Sequence, residues 1–153
     1  MHRIPKFILR FIHLPPRLLY TVGLGPLIGN LVLLLTTTGR KTGKPRVTPL
    51  QYELIDGKIY LGSALGQKAD WLRNLLANPQ VEVRLKGQRF RGTAEIISDA
   101  KPIADYLEVR LRRHPHMMAA MLQSRGLSIP PHRDALEQYA SKIILVVITK
   151  DEK

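Results

Sequence analysis

The stretch that decides the fold is Leu31–Leu50, LVLLLTTTGRKTGKPRVTPL. Its apolar first part predicts a buried strand from Leu31 to Thr37, and the alternating run from Val47 to Ile55 predicts a second strand. Between them, four cations lie within the seven residues Arg40 to Arg46, interrupted by a glycine and a proline. Glycine and proline favour turns over helices. We therefore expect two strands joined by a basic loop.

The basic loop has two interpretations at this point. Its backbone N–H groups and its cationic side chains could bind one anionic ligand, such as a cofactor rich in phosphate or carboxylate. Alternatively, the loop is a hairpin connection that is basic for solubility, because charged runs are usually solvated surface.

Composition narrows the range of partners and of chemistry. The 153 residues suffice for one domain with a sizeable core, and 44% of them are hydrophobic. Lys and Arg number 24 against 12 Asp and Glu, so the net charge is +12. Such an excess favours anionic partners: nucleic acid, acidic lipid head groups or a polyanionic small molecule. The chain has no cysteine, which excludes disulfides, thiolate catalysis and cysteine-based zinc sites.

The N-terminal part of the chain could be mistaken for a membrane anchor. Leu18 to Thr38 carries no charge and is long enough to cross a bilayer. Glycines and a proline interrupt its centre, so we expect a helix, a break and a buried strand instead. Residues 1–16 predict a basic amphipathic helix, in which Ile4, Phe7, Ile8, Phe11 and Ile12 recur at helical spacing. Residues 1–14 would contact an anionic membrane surface, or else pack on the domain or on a second subunit.

The remaining pattern alternates strands with short helices. Asp56-Gly57 is a strong hairpin signal. Further strands are predicted at 58–62, 81–85, 89–97 and 142–149, and helices at 70–77, 101–113 and 117–124. The pattern predicts the α+β class, with about six mostly antiparallel strands and interspersed helices, and a closed or split barrel would hide the sheet edges. We expect a single domain over 1–153, with the barrel spanning 31–149.

Familiar catalytic patterns are missing from the sequence. The five histidines lack the spacing of metal ligands, so no metal site is expected, and no paired carboxylates or serine nucleophile elbow are present. A bound cofactor would then carry the chemistry. The small residues of Gly62-Ser63-Ala64 would let a flat ring approach the backbone. Trp71 and Asn74 follow on one helical face, although a single tryptophan is more often a core residue.

The ordered set of these motifs resembles a known family. The run from Leu34 to Leu50, then Asp56-Gly57, Gly62-Ser63 and the pattern from Trp71 to Val83 are similar to the deazaflavin-dependent nitroreductases. The resemblance implies a split β-barrel related to flavin-mononucleotide (FMN)-binding oxidoreductases. It also implies binding of coenzyme F420, a deazaflavin with a phosphate and a polyglutamate tail, and makes FMN the less favoured cofactor.

The resemblance also implies which residues bind the cofactor. The basic loop would hold the phosphate and tail, the second strand would lie beside the phosphate and ring, and the later segments would flank the ring. These positions are Arg40, Lys41, Thr42, Lys44, Arg46, Val47, Thr48, Pro49, Leu50, Gln51, Leu61, Gly62, Ser63, Ala64, Asp70, Trp71, Leu72, Arg73 and Asn74. Many members carry an aromatic residue in place of Gln51, which puts nitroaromatic activity in doubt. The catalytic residue is not identified, and the candidates are Ser63, Tyr106 and Tyr139.

The expected function is hydride transfer between reduced F420 and a small acceptor such as a quinone, an enone or a nitro compound. One alternative is a split-barrel protein that binds FMN, haem or a tetrapyrrole. Another is a basic protein that binds nucleic acid or a membrane surface, although only 6% aromatic residues and no recognition signature argue against specific nucleic-acid binding. The expected location is cytoplasmic, with peripheral contact at the inner face of the plasma membrane, and a homodimer is compatible with the pattern.

Overall fold

A computed structural model describes residues 32–63 and 68–152. The predicted N-terminal helix over 1–16 and the segment 18–31 lie outside these residues. The described part contains seven strands and four helices. The strands are β1 (Val32–Thr38), β2 (Pro45–Gln51), β3 (Glu53–Ile55), β4 (Lys58–Ser63), β5 (Gln80–Leu85), β6 (Gln88–Ile97) and β7 (Ile144–Lys150). The helices are α1 (Asp70–Ala77), α2 (Ala100–Arg113), α3 (Pro115–Ser124) and α4 (Arg133–Ala140).

The seven strands form one antiparallel sheet in the order β2-β1-β5-β6-β7-β4-β3. The two edge strands, β2 and β3, are consecutive in the chain and are separated only by Tyr52. One short segment therefore pairs with both ends of the sheet, so the sheet must curl until its edges meet. The result is the split β-barrel that the sequence predicts, and curling of this kind hides sheet edges that would otherwise be exposed.

The structure differs from the sequence-based expectation at two points. The alternating run from Val47 to Ile55, expected as one strand, is two strands that break at Tyr52, because its two halves pair with opposite edges of the sheet. Helix α4 is the second difference. Its apolar pattern is too short to predict a helix, and it is stabilised by packing Leu136 and Ala140 into the core.

The core has two parts, one on each face of the sheet. One face encloses the barrel interior, where Leu33, Leu35 and Leu61 pack with helix α1. The other face is covered by α2, α3 and α4. Strand β7 contributes to both parts, because Val146 and Ile148 face the barrel while Leu145 and Val147 face the helices. This burial on both sides explains the continuous apolar run that predicts a fully buried strand there.

Two tight hairpins fix the register of neighbouring strands. Asp56 and Gly57 have φ of 50° and 76°, and Lys86 and Gly87 have φ of 51° and 78°. Two successive residues at positive φ are typical of the type I′ turn, whose twist matches that of the flanking strands. The hairpin predicted at Asp56-Gly57 is confirmed, and the second turn joins β5 to β6.

A buried charge cluster ties strand β3 to the end of helix α2. The carboxylate of Glu53 is only 7% exposed. It accepts hydrogen bonds from Arg110 Nε at 3.3 Å and Arg113 Nη1 at 3.2 Å, and it lies 2.6 Å from His114 Nε2. Glu53 is paired with Tyr60 across the β3–β4 hairpin, and the Tyr60 ring stacks on Tyr106 of α2. The cluster therefore holds the edge strand against the helical layer.

Replacing Glu53 by Gln should destabilise the fold. The substitution leaves Arg110 partly buried without its anion, which costs about 3 kcal/mol, at the lower end of the range for a broken buried ion pair. Arg113 and His114 are half exposed and can rehydrate, so a larger loss is not expected. Urea unfolding would measure the change. The matched control is Glu82→Gln, which breaks an exposed pair with Arg89 and should cost less than about 1 kcal/mol. Equal losses in the two variants would contradict the assignment.

Candidate functional site

Three of the predicted cofactor segments, the basic loop, the end of β4 and helix α1, lie toward one end of the barrel, whereas β2 runs from the loop to the opposite end, where Gln51 lies. Strands β1 and β4 run in the same direction, because three alternately directed strands, β5, β6 and β7, separate them in the sheet. Their last residues, Thr38 and Ser63, therefore lie toward the same end, where the basic loop follows β1 and the chain leaves β4 for α1. The sequence order alone could not establish this, since β1 and β4 are not neighbours in the sheet.

The basic loop from Gly39 to Lys44 has a defined backbone. Gly39 N–H donates to the Lys44 carbonyl at 2.8 Å, and Gly43 N–H donates to the Gly39 carbonyl at 2.8 Å. A Cβ on Gly39 would lie 2.9 Å from Thr42 Oγ1 and 3.1 Å from the Lys44 carbonyl oxygen, which leaves no room for a side chain. Gly43 has φ of 69°, a conformation that glycine adopts without strain. The two glycines thus fulfil separate requirements of one turn.

Arg40 fastens the loop to helix α1. Its backbone N–H and its Nη1 both donate to Asn74 Oδ1, at 3.2 and 3.0 Å, and its Nη2 donates to Asp70 Oδ1 at 3.2 Å. Asn74 in turn donates from Nδ2 to Thr37 Oγ1 at 3.1 Å. Asn74 and Thr37 are both buried. This chain of bonds joins the end of β1, the loop and the helix, so Arg40 has a positioning role in addition to its charge.

The other nearby cations, two in the loop and one near the start of β2, are not neutralised within the described part of the chain. Lys41, Lys44 and Arg46 are exposed, and no carboxylate among residues 32–63 and 68–152 pairs with them. Thr42 is also exposed, and its Oγ1 accepts from the Lys44 N–H at 3.3 Å. The loop therefore offers unneutralised positive charge on a constrained backbone, which is the donor set that a phosphate or carboxylate ligand requires.

Strand β2 extends the loop along the edge of the sheet. Arg46, Thr48 and Leu50 share the face of the sheet that carries Thr37, Leu35 and Leu33, their cross-strand partners on β1. Leu50 packs against the barrel core. The remaining positions assigned to the cofactor by resemblance, Val47, Pro49 and Gln51, alternate onto the opposite face. The six predicted residues of β2 are thus divided between the two faces of the strand.

Strand β4 brings a buried serine to this end of the barrel. Leu61 and Ser63 lie on the barrel side and are buried, whereas Gly62 is exposed on the other face. Ala64, the last predicted member of this segment, lies outside the described residues.

Helix α1 divides its predicted residues between the core and the surface. Trp71 and Leu72 are buried in the barrel core, which supports the interpretation of Trp71 as a core residue. Asp70 and Arg73 are exposed. Asn74 is buried and holds the loop. Its hydrogen-bond partner Thr37 is not among the predicted site residues. The only sign in the sequence of a role for Thr37 is its place near the end of β1, separated from the loop by Thr38 alone.

The three candidates for a catalytic hydroxyl do not share one site. Ser63 faces the barrel, whereas Tyr106 lies against the opposite face of β4, where its hydroxyl would be 4.0 Å from a Cβ on Gly62. The Tyr106 ring stacks on Tyr60 with centroids 5.8 Å apart. Tyr139 is half-buried in the helical layer. Burial, the largest cause, raises the pKa of Tyr106 to about 12, and nearby Arg110 opposes the shift. A phenol held neutral in this way suits a packing role better than proton transfer near neutral pH.

The raised pKa of Tyr106 predicts a stability change at alkaline pH. The folded state keeps the phenol proton at pH values where the unfolded state, with its ordinary pKa of 10.0, loses it. The free energy of unfolding should therefore fall as pH rises from 10 to about 12, by about 2–3 kcal/mol in total from this group. Urea unfolding across this window, compared between wild type and Tyr106→Phe, would isolate the contribution. A wild-type slope retained in the Phe variant would contradict it.

The architecture places the protein in the class of split β-barrel proteins. The F420-H2 dependent reductase FDR-A shares the fold with a TM-score of 0.52 at 21% identity, covering 77% of this chain and 93% of the other. The heme storage protein HutZ of Vibrio cholerae matches with a TM-score of 0.54 at 17% identity, covering 81% and 84%. A domain-swapped dimer matches with a TM-score of 0.54 at 19% identity, covering 95% and 100%. At these identities, the likeness establishes the fold alone.

The family is established by sequence. Residues 19–130 match the family described as F420H(2)-dependent quinone reductase, and the chain belongs to this family. An F420H(2)-dependent quinone reductase of Mycobacterium tuberculosis is 43% identical over 74 residues, which are 46% of this chain and 49% of the relative. The chain thus spans about half the length of the curated relatives it matches. The expected resemblance to F420-dependent reductases with a split barrel is confirmed.

None of the helices in the described residues is both long enough and apolar enough to traverse a bilayer.

Proposed function

We propose that this protein binds coenzyme F420 and, with the cofactor reduced, transfers a hydride to a quinone. The observation that best supports this proposal is the constrained basic loop 39–44, which lies at the same end of the barrel as the last residues of β4. Within the described part of the chain, Lys41 and Lys44 of this loop pair with no carboxylate. The family described as F420H(2)-dependent quinone reductase supplies the cofactor class and the acceptor class. Enones and nitro compounds remain further acceptor candidates.

The residues present fit the anionic part of this cofactor. Lys41, Lys44 and Arg46 would provide charge-assisted hydrogen bonds to a phosphate and to tail carboxylates. Arg40 would hold the loop in place through Asn74, so that these donors need little rearrangement on binding. The cations are exposed, so salt should weaken the interaction.

The ring would require different surroundings. When bound in its reduced form, the deazaflavin supplies the hydride. The end of β4 carries only small residues, with Gly62 exposed on one face and Ser63 buried on the barrel side, and Trp71 and Leu72 anchor helix α1 in the barrel core. The role of the protein would be to orient the ring and the acceptor and to exclude water. Ser63 remains the first candidate for a hydrogen bond to the ring.

We expect F420 to bind more tightly than FMN, because the basic loop carries more positive charge than the single phosphate group of FMN would neutralise. The double variant Arg40→Ala/Lys41→Ala should weaken F420 binding by roughly 1–3 kcal/mol at low salt, the scale of lost charge-assisted hydrogen bonds. Fluorescence titration with both cofactors at two salt concentrations would measure these affinities.

The effects of the two substitutions in the double variant can be measured separately. Lys41→Ala should weaken binding without changing stability, whereas Arg40→Ala should also destabilise the fold, because it removes the bonds to Asn74 and Asp70. Lys101→Ala/Lys142→Ala, which removes two exposed charges elsewhere, should leave the affinity unchanged. Wild-type affinity in the loop variant, or stronger binding of FMN, would refute the proposal.

The proposed contact between residues 1–14 and an anionic membrane has its own test. Basic residues near an acidic surface contribute about 1 kcal/mol each, and an apolar helix face adds to this. The protein should float with anionic liposomes and detach partly at high salt, and a variant lacking Met1 to Leu14 should not float. Failure of the untruncated 153-residue chain to float would leave helix packing or a homodimer contact as the role of this segment.

A further inference from the structure

Besides the basic loop, a cleft lined by basic residues lies at the opposite end of strand β2 from that loop. It has a volume of about 290 Å³ and is lined by the end of β2, the β2–β3 junction, the β5–β6 turn and the junction of α2 with α3. This volume is at the lower end of the range for small-molecule sites. The cleft would therefore accommodate a molecule of one or two rings.

The charge of this cleft is positive. Lys86, Arg110 and Arg113 line it together with a single carboxylate, Glu53, which gives a formal charge of +2 when His114 is neutral. Glu53 is already bound by Arg110, Arg113 and His114, so the cluster described above forms the floor. The excess charge predicts an anionic ligand.

Donors remain available above this floor. Arg113 uses only Nη1 for its hydrogen bonds to Glu53 and to the Leu54 carbonyl, and the side chain is 43% exposed. Lys86 forms no ion pair with any residue in the described part of the chain, and the β5–β6 turn presents it at the rim. An arginine fork and a lysine at the rim can together bind one carboxylate group.

The rim of the cleft is apolar as well as basic. Among residues 32–63 and 68–152, four large hydrophobic side chains are exposed, and two of them, Leu54 at 41% and Met117 at 46%, line this cleft. An apolar rim beside unused cationic donors matches a ligand that is itself amphipathic. A phosphate dianion is less suitable than a carboxylate, because the Glu53 charge lies in the floor.

We propose that this cleft binds a carboxylate attached to a small apolar body, such as an aromatic acid of one or two rings. The site is separate from the loop 39–44, and the proposal does not depend on hydride transfer. The carboxylate would lie between Lys86 and Arg113, and the apolar body would contact Leu54 and Met117.

The test uses 1-naphthoate as the probe and the whole protein without cofactor. With methyl-labelled methionine, the Met117 signal should shift saturably, while the signal of the fully buried Met118 should move little. The neutral 1-naphthamide should bind roughly tenfold more weakly, as expected when a hydrogen-bonded charge is lost. A γ-linked glutamate dipeptide, which carries carboxylates but no apolar body, should not displace the naphthoate.

Two variants test whether the carboxylate of the naphthoate binds at Arg113 and Lys86. Arg113→Gln and Lys86→Asn should each weaken naphthoate binding by roughly tenfold. Asn is chosen at position 86 because it tolerates the positive φ of this turn. Arg112→Gln and Lys142→Gln remove the same charge from exposed residues outside the cleft and should retain the affinity.

Several outcomes would overturn the proposal. Equal binding of the acid and the amide would show that the negative charge is not recognised. Displacement of the naphthoate by the glutamate dipeptide would show that the apolar body is not recognised. Equal losses in all four variants would indicate general attraction to a protein of net charge +12. An unmoved Met117 signal would place the probe elsewhere. If Arg113→Gln fails to fold, Lys86→Asn decides between these outcomes, because Lys86 forms no ion pair with Glu53.

Discussion

The break at Tyr52 is the constraint on which the rest of the structure depends. Strand β2 pairs with β1 at one edge of the sheet, and β3 pairs with β4 at the other edge, although one residue separates them in the chain. The sheet can satisfy both pairings only by curling. Because β1 and β4 run in the same direction, both end at the end of the barrel where the basic loop and the start of α1 lie, and curling brings these two strands closer together than they would be in a flat sheet. The Glu53 cluster secures the far side of the break by tying β3 to α2. The break at Tyr52 is therefore the common cause of the closure of the barrel, the placement of the candidate site and the formation of the cleft beside Glu53.

The charge of the loop creates a problem that the structure solves locally. Four cations in seven residues repel one another, and a flexible loop would spread them apart. Arg40 is held against helix α1, because Asn74 and Asp70 accept hydrogen bonds from its guanidinium and Asn74 also accepts one from its backbone N–H. Lys41 and Lys44 lie on a backbone that is closed by the Gly39–Lys44 and Gly43–Gly39 hydrogen bonds, and Arg46 follows two residues later on β2. Positive charge held in this way is prearranged for an anion, whereas the same residues in a solvated loop would lose conformational freedom on binding.

The sequence predicted the fold well where local pattern determines structure. Asp56-Gly57 requires a type I′ turn, and the apolar run before Lys150 requires a strand that is buried on both faces. It could not predict the division of β2 from β3, because both halves of the run alternate and only pairing at distant edges separates them. Nor could it find the partners of Glu53, which lie about 60 residues away on α2 and at its end. In the alternating run, Glu53 falls with the polar residues and Leu54 with the apolar ones, so the pattern predicts the reverse of the burial that the structure has. For the candidate site, the loop was recognisable from its composition, but the dual role of Arg40 depends on contacts with α1 that no pattern encodes.

The fold by itself does not select a cofactor, since a heme storage protein and an F420-dependent reductase share the same barrel with this chain. Selection must come from side chains at the barrel ends. A ring can pack on any small-residue surface such as that around Gly62, so ring contacts discriminate weakly between flat cofactors. The anionic part of the ligand discriminates more strongly, because each additional phosphate or carboxylate group can form charge-assisted hydrogen bonds with a further cation, and such bonds are stronger than neutral ones. In this chain, Lys41, Lys44 and Arg46 exceed what one phosphate would neutralise. The number and placement of these cations, rather than the barrel, therefore carry the argument for a cofactor with an extended anionic tail.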